Sequence, residues 1–250
     1  MICTGKVAHN SEMLKEILEL YVPEPTAIVD NTYGKGSFWK DIPHTFCAVM
    51  QGNPYSMVIP KEPTVTKEGN PVHILLASDL YTITQDDGEA GIDCLDMPYK
   101  DNSMRVVVND IPYGGTGGKG SRNPTVTGYG NAVLGSRSWK VILQMHKDAV
   151  KEAYRVLVPG GLVIVKSQDQ IEAGRQHRIT YEIIKYGEGI GFIDEDLFYV
   201  VSKSLPMLRH KHQLHGRKNI SSFWVGRKRK NGRHGSISTV ATKQKHQAVP

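Results

Sequence analysis

Apolar residues recur along the chain in two distinct patterns. Where they return every three or four positions they predict amphipathic helices. Met13, Leu14, Ile17, Leu18 and Tyr21 place one helix from about Glu12 to Tyr21, capped by Asn10 or Ser11 and stopped by Pro23-Glu24-Pro25. Val141, Ile142, Met145, Ala149, Val150, Ala153, Tyr154 and Leu157 outline a longer one, capped by Ser138 and closed by Pro159-Gly160-Gly161. A third runs from Thr180 to about Glu188. Elsewhere the apolar residues come in short unbroken runs rich in valine and isoleucine, as in strands buried on both faces. Such runs are Ala27–Asp30, Val72–Asp79, Ile92 to Tyr99 with its turn, Met104–Asn109 and Leu162–Lys166, followed by strands over Phe192–Val201 and Asn219–Gly226. The expected class is α/β.

Four of these runs finish on an acid: Asp30, Asp79, Asp96 and Asp110. Ligands of open α/β sheets bind outside the carboxyl ends of strands, so aligned terminal acids predict a ligand edge. After Asp30 comes Asn31-Thr32-Tyr33-Gly34-Lys35-Gly36-Ser37-Phe38-Trp39. This reads as a glycine turn and a following helix whose free N–H groups face a ligand. It is neither G-x-G-x-x-G nor a phosphate-binding Walker loop. Asp79 is expected at the second strand end, where its two oxygens can bind paired ribose hydroxyls, with Leu80 or Tyr81 against the base; a competing second strand would end near Gln51. Asp96, followed by Met97, sits where an adenine amino group could be bound. Asp110-Ile111-Pro112-Tyr113 combines an acceptor carboxylate with a ring able to stack on a flat base.

The remaining segments are polar. An insert lies near residues 50–70, and Gly114 to Gly135, carrying Lys119 and Arg122, is long enough for an active-site loop. A polar segment containing Arg175 follows Lys166 at the ligand edge. The net charge of +6 and pI near 9.1 arise mostly beyond residue 200. There Arg209, Lys211, Arg217 and Lys218 predict phosphate contacts, as do Lys119, Arg122, Lys166 and Arg175 nearer the site. His210, His212 and His215 have metal-like spacing, but their basic neighbours would repel a cation, so no metal is expected. Residues 231–250 lack periodicity and are expected to be disordered. One domain over 1–230 is expected, with the basic segment at 203–218. Three cysteines without paired spacing predict reduced thiols; the amino-terminal residues lack a signal-peptide pattern, and no run reaches the roughly 18 apolar residues of a membrane span. A cytoplasmic protein is expected.

In this order the segments resemble the amino-specific DNA methyltransferases, within them a phage and prophage DNA-methylase-like group, from about Lys6 to Lys228. The resemblance rests on Ile28 to Trp39, Asp96-Met97-Pro98-Tyr99, Asp110-Ile111-Pro112-Tyr113, Lys166 to Gln170 and Asn219 to Val225. It implies a class I, Rossmann-like, seven-stranded mixed sheet with helices on both faces. It also implies S-adenosylmethionine as cofactor, DNA as partner, and transfer to the N6 amine of adenine or the N4 amine of cytosine. Asp30, Asn31, Thr32, Tyr33, Gly34, Gly36, Phe38, Trp39, Asp79, Leu80, Asp96 and Met97 would then serve the cofactor. Asp110 and the carbonyl of Ile111 would hold the amine while Tyr113 stacks on a flipped base, Pro112 completing the motif. Ile111 stands where the family's tetrapeptide has its first proline. RNA or a protein glutamine as acceptor, and a nucleic-acid-binding module without turnover, are the alternatives. The sequence leaves the oligomeric state open.

Overall fold

The computed structural model describes residues 2–33, 36–51, 64–77, 94–111, 138–202, 215–216 and 218–230. Gly34, Asp79, Leu80, Pro112, Tyr113, Lys119, Arg122, Arg209, Lys211 and Arg217 lie outside them. So do the proposed loop from Gly114 to Gly135, most of the insert near 50–70 and residues 231–250.

Eleven strands are described: β1 (Gly5–Val7), β2 (Ala27–Asp30), β3 (Cys47–Gln51), β4 (Thr64–Val65), β5 (Pro71–Ala77), β6 (Met104–Asn109), β7 (Leu157–Ser167), β8 (Gln170–Glu172), β9 (Arg175–His177), β10 (Phe192–Val201) and β11 (Ile220–Lys228). The helices are α1 (Asn10–Tyr21), α2 (Trp139–Val156) and α3 (Ile179–Ile190). The main sheet runs β1-β10-β11-β7-β6-β2-β5-β3, with β4 attached to β5. Its seven-strand path from β10 to β3 is mixed, because β11 lies antiparallel to both β10 and β7 while the contacts from β7 to β3 are parallel. This is the α/β class expected from the apolar pattern and the Rossmann-like mixed sheet that the resemblance implies. The neighbour of β2 is β5; β3, though earlier in sequence, is displaced to the edge.

Strand alternation sorts the apolar residues onto two faces. Ile28, Leu75, Val106, Val108, Ile164, Phe223 and Val225 pack with Met13, Leu14, Ile17 and Leu18 of α1. Val29, Ile74, Leu76, Val107, Val163, Val165 and Trp224 pack with α2 and α3. Among the described residues no helix is long and apolar enough to cross a membrane.

Several local expectations change. The α1 cap is His9, whose N–H donates to Glu12 Oε1 at 3.2 Å, while the hydroxyl of the buried Ser11 goes to Asp41. The buried stripe of α2 includes Leu143, His146 and Val156, and Val141 faces outward. The helix ends at Val156, so Pro159-Gly160-Gly161 belongs to β7, where the register against β6 shifts and Gly160 takes φ +85°. β1 has no apolar period; it is held beside β10 through backbone pairing such as Tyr199 N–H to the Thr4 carbonyl at 2.6 Å.

Helix α3 meets the sheet at Gly187, where any Cβ would run into the indole of the fully buried Trp224. That indole is fixed by its N–H bond to Asp194 Oδ1 at 2.9 Å. Gly187→Ala therefore overpacks the interface, and a stability loss of about 1–3 kcal/mol is expected from urea unfolding. An unchanged midpoint would show that the helix can lift without penalty.

Candidate active site

The carboxyl ends of β2, β6 and β7 lie side by side because Asp30 is in register with Val108, and Asn109 with Val165. Asp110 and Lys166 are the next residues along. Of four hydrogen bonds centred on Asp30 and Thr32, three brace the β2 end and one joins it to the β6 end. Thr32 gives Asp30 Oδ1 both its backbone N–H (2.8 Å) and its hydroxyl (2.7 Å), and the Trp39 indole donates to Oδ2 at 2.6 Å. The Thr32 hydroxyl oxygen accepts the backbone N–H of Asp110 at 2.8 Å. Lys166 Nζ then reaches Asp110 Oδ1 at 2.7 Å.

Asp30 is fully buried. Burial pushes its carboxyl up to about 7, against the pull of the Trp39 and Thr32 hydrogen bonds; the nearby charge of Asp110 adds to the rise. With three donors on its two oxygens it braces the loop from beneath. An unfolded-state pKa near 3.8 raised in the fold means that stability from the protonated form is complete below about pH 4. It is lost as pH rises through 7. A carboxyl ¹³C titration should place the Asp30 midpoint near 7, and Asp30→Asn should remove this part of the pH dependence of unfolding. A midpoint near 4 would show that the donors outweigh burial.

The remaining predicted residues divide between edge and core. Asn31 is buried, and Thr32, Tyr33 and Gly36 are half-buried at the end of β2. Gly36 has φ +68°, and a Cβ there would strike the Tyr33 ring. The helix expected beyond this turn is absent: Trp39 N–H bonds the Gly36 carbonyl and Ile42 N–H the Trp39 carbonyl, giving successive tight turns before Pro43. Phe38 and Trp39 are core residues. Phe38 stacks on Phe223 at 5.5 Å and 9°, and Trp39 spends its N–H on Asp30. Asp96 is exposed and follows a turn rather than a full strand. Met97 is buried against the α2 side, its N–H on Glu152 and its carbonyl on Arg155, so it supports the site from the core.

Lys166, expected at a phosphate-binding surface, is 4% exposed and aimed at Asp110. Arg175 is exposed on the β8–β9 hairpin. Its turn places Ala173 and Gly174 at positive φ, suited to a tight two-residue connection. Lys218 is half-buried; its carbonyl and that of Ile220 accept from Gln168, tying the exit of the basic segment to the end of β7. Among the described residues no group of three His, Cys, Asp or Glu is placed to hold a metal.

Two polar residues escape the sequence pattern. Asn109 ends an otherwise valine-rich strand, and His146 occupies the centre of the α2 stripe. Both are buried, and among the described residues neither side chain has a hydrogen-bond partner. Burial holds the imidazole of His146 neutral, down at about 3, with the Lys166 charge contributing.

The chain is similar in structure to several solved proteins. No family model and no curated protein matches it. A provisionally assigned DNA modification methylase of Thermus thermophilus, solved with S-adenosyl-L-methionine, is 18% identical over 56% of this chain, with a TM-score of 0.36. This chain covers only 54% of that protein. A SAM-dependent methyltransferase of Methanosarcina mazei is 11% identical over 86% of this chain and 98% of its own, with a TM-score of 0.43. A provisionally assigned methyltransferase of Bacillus halodurans is 14% identical over 87% and 99%, with a TM-score of 0.44. Likenesses this distant carry neither activity nor substrate.

The residues themselves fit a cationic nucleoside cofactor in their chemistry. The end of β2 offers a turn fixed by a positive-φ glycine, Asp96 offers an exposed carboxylate, and the adjacent Asp110 is partly open. Asp30, Phe38, Trp39 and Met97 hold that edge in place from the core.

Proposed function

We propose that the protein is an S-adenosylmethionine-dependent methyltransferase acting on the exocyclic amine of a DNA base, N6 of adenine or N4 of cytosine. The observation that carries this reading is the one-fifth-exposed Asp110 carboxylate at the end of β6, bonded by Lys166, with the Asp110 backbone N–H held by Thr32. When bound, the cofactor supplies a methyl group on a sulfonium, whose sulfur keeps the electron pair of the broken C–S bond.

Asp110 accepts one N–H of the amine and the carbonyl of Ile111 accepts the other. Two acceptors draw an aniline-like nitrogen out of conjugation and aim its lone pair at the methyl carbon. Nitrogen then gains carbon and releases one proton, which passes to water. Such placement can contribute roughly 7–11 kcal/mol of the barrier. The side chain of Ile111 is 1% exposed, so burial anchors the turn where the family has a rigid ring. Tyr113, beyond the described residues, stacks on the flipped base.

DNA is favoured as partner by the basic residues Lys119, Arg122, Arg175, Arg209, Lys211, Arg217 and Lys218. The test is incubation with ³H-methyl cofactor and duplex DNA, digestion to nucleosides and mass spectrometry. N6-methyladenosine or N4-methylcytidine is expected in the deoxy form. Methylation of RNA or protein alone would replace DNA as substrate, and no transfer to any of the three would overturn the reading.

A further inference from the structure

We propose that Lys166 is the positioning residue of the acceptor carboxylate: it holds Asp110 Oδ1 from behind, so that Oδ2 alone is presented to the incoming amine. This rests on the reading of Asp110 as amine acceptor. The β7 sequence runs Leu162 to Val165 without a polar residue and then turns to Lys166-Ser167 where the sheet meets its ligand edge. Pairing of Asn109 with Val165 sets Lys166 beside Asp110. Across the sheet Lys166 pairs with Phe223, on which Phe38 stacks, and Nζ lies 5.4 Å from the Phe38 ring centroid. The ammonium thus lies near the Phe38 ring and donates to Asp110 Oδ1.

The two partners are unequally buried, with 5% of the lysine side chain exposed against 21% of the aspartate. The ammonium is therefore at the back and the carboxylate at the front. Desolvating such a pair commonly offsets its attraction, and an apolar residue would pack as well, so stability does not account for a lysine here. Orientation does. With its backbone N–H on Thr32 and Oδ1 on Lys166, Asp110 is held at two points, which restrains the side chain to one direction. Charge gives a second reason. A bare carboxylate beside a sulfonium would pair with the cofactor, whereas one balanced by Lys166 stays available as a hydrogen-bond acceptor.

Lys228 shows the contrasting structural case. At the opposite edge of the sheet its ammonium donates to Asn102 Oδ1 and to the Tyr154 and Leu157 carbonyls, closing strand ends with neutral acceptors.

The test compares Lys166→Met and Lys166→Arg in the full chain. Lys166→Met should bind S-adenosylmethionine with a Kd within about threefold of wild type, retain substrate KM within a similar range, and lose about 10²-fold in kcat. Lys166→Arg should recover most of that loss. A kcat within threefold for the methionine variant, or parallel losses of cofactor binding and fold, overturns the proposal. A second readout needs no turnover. The Lys166 ¹⁵Nζ signal should exchange slowly with water in wild type and rapidly in Asp110→Asn. Slow exchange unaffected by Asp110→Asn, or fast exchange in wild type, overturns the positioning role. If the ¹⁵Nζ result holds but wild type methylates no amine, the reading of Asp110 as amine acceptor fails instead.

Discussion

Asp110→Asn is expected to lower kcat for methyl transfer by about 10³-fold while leaving cofactor affinity nearly unchanged. Asparagine keeps the size of the side chain and the backbone N–H bond to Thr32, so the ends of β2 and β6 remain joined. It offers one acceptor oxygen instead of two. If that oxygen faces Lys166, the amide NH₂ faces the substrate amine, donor against donor; if it faces the amine, the buried ammonium loses its carboxylate. Neither arrangement preserves the wild-type geometry, and in both the buried ammonium loses its balancing negative charge. Asp110→Ala should lose at least as much activity because both acceptor oxygens vanish. Cofactor binding by calorimetry and methyl transfer under saturating substrate separate the two effects. Turnover within tenfold of wild type in both variants would remove Asp110 from the chemistry.

The position of this carboxylate is legible in the sequence because β-branched runs dominate the central strands. Val106 to Val108 and Leu162 to Val165 are buried on both faces, so their pattern fixes where the sheet stops and the polar edge begins. The amphipathic helices are legible for the complementary reason, with boundaries near those observed. What escapes the pattern depends on side chains finding partners across the fold. Phe38 and Trp39 resemble the start of a cofactor helix, yet the indole N–H satisfies a buried acid nine residues earlier. Lys166 resembles a surface cation because its partner, Asp110, lies 56 positions away in sequence. His146 is polar and falls outside a stripe counted on apolar residues, although its position within the helix faces the core. The edge strand β1 has no apolar alternation to reveal it, since backbone pairing holds it in place. Patterning thus locates β2, β5, β6, β7, β10 and β11, whereas β3 competes with another assignment and Cys94 to Tyr99 forms turns where a strand is expected; the site's internal wiring follows from contacts between distant residues.

That wiring makes Thr32→Val the sharper test of how the two halves of the site cooperate. Valine matches threonine in shape, so the turn after β2 keeps its volume and its backbone N–H bond to Asp30. Two interactions disappear together: the hydroxyl no longer donates to Asp30 Oδ1, and the Asp110 N–H loses its acceptor. An unsatisfied buried donor costs about 1–3 kcal/mol, which a urea titration would detect. The larger consequence falls on catalysis. Released from β2, the Asp110 backbone can drift relative to the cofactor loop, and a displacement near 1 Å is worth about 10²-fold in rate. The expected signature is a fall in kcat with cofactor Kd changed only a few-fold, because the other loop contacts persist. A double-mutant cycle with Lys166→Met then measures cooperation directly. If both residues fix the same carboxylate, the second substitution should add much less than its separate effect. Full additivity would mean that Thr32 and Lys166 act on different steps, and that the carboxylate is not held jointly by these two residues.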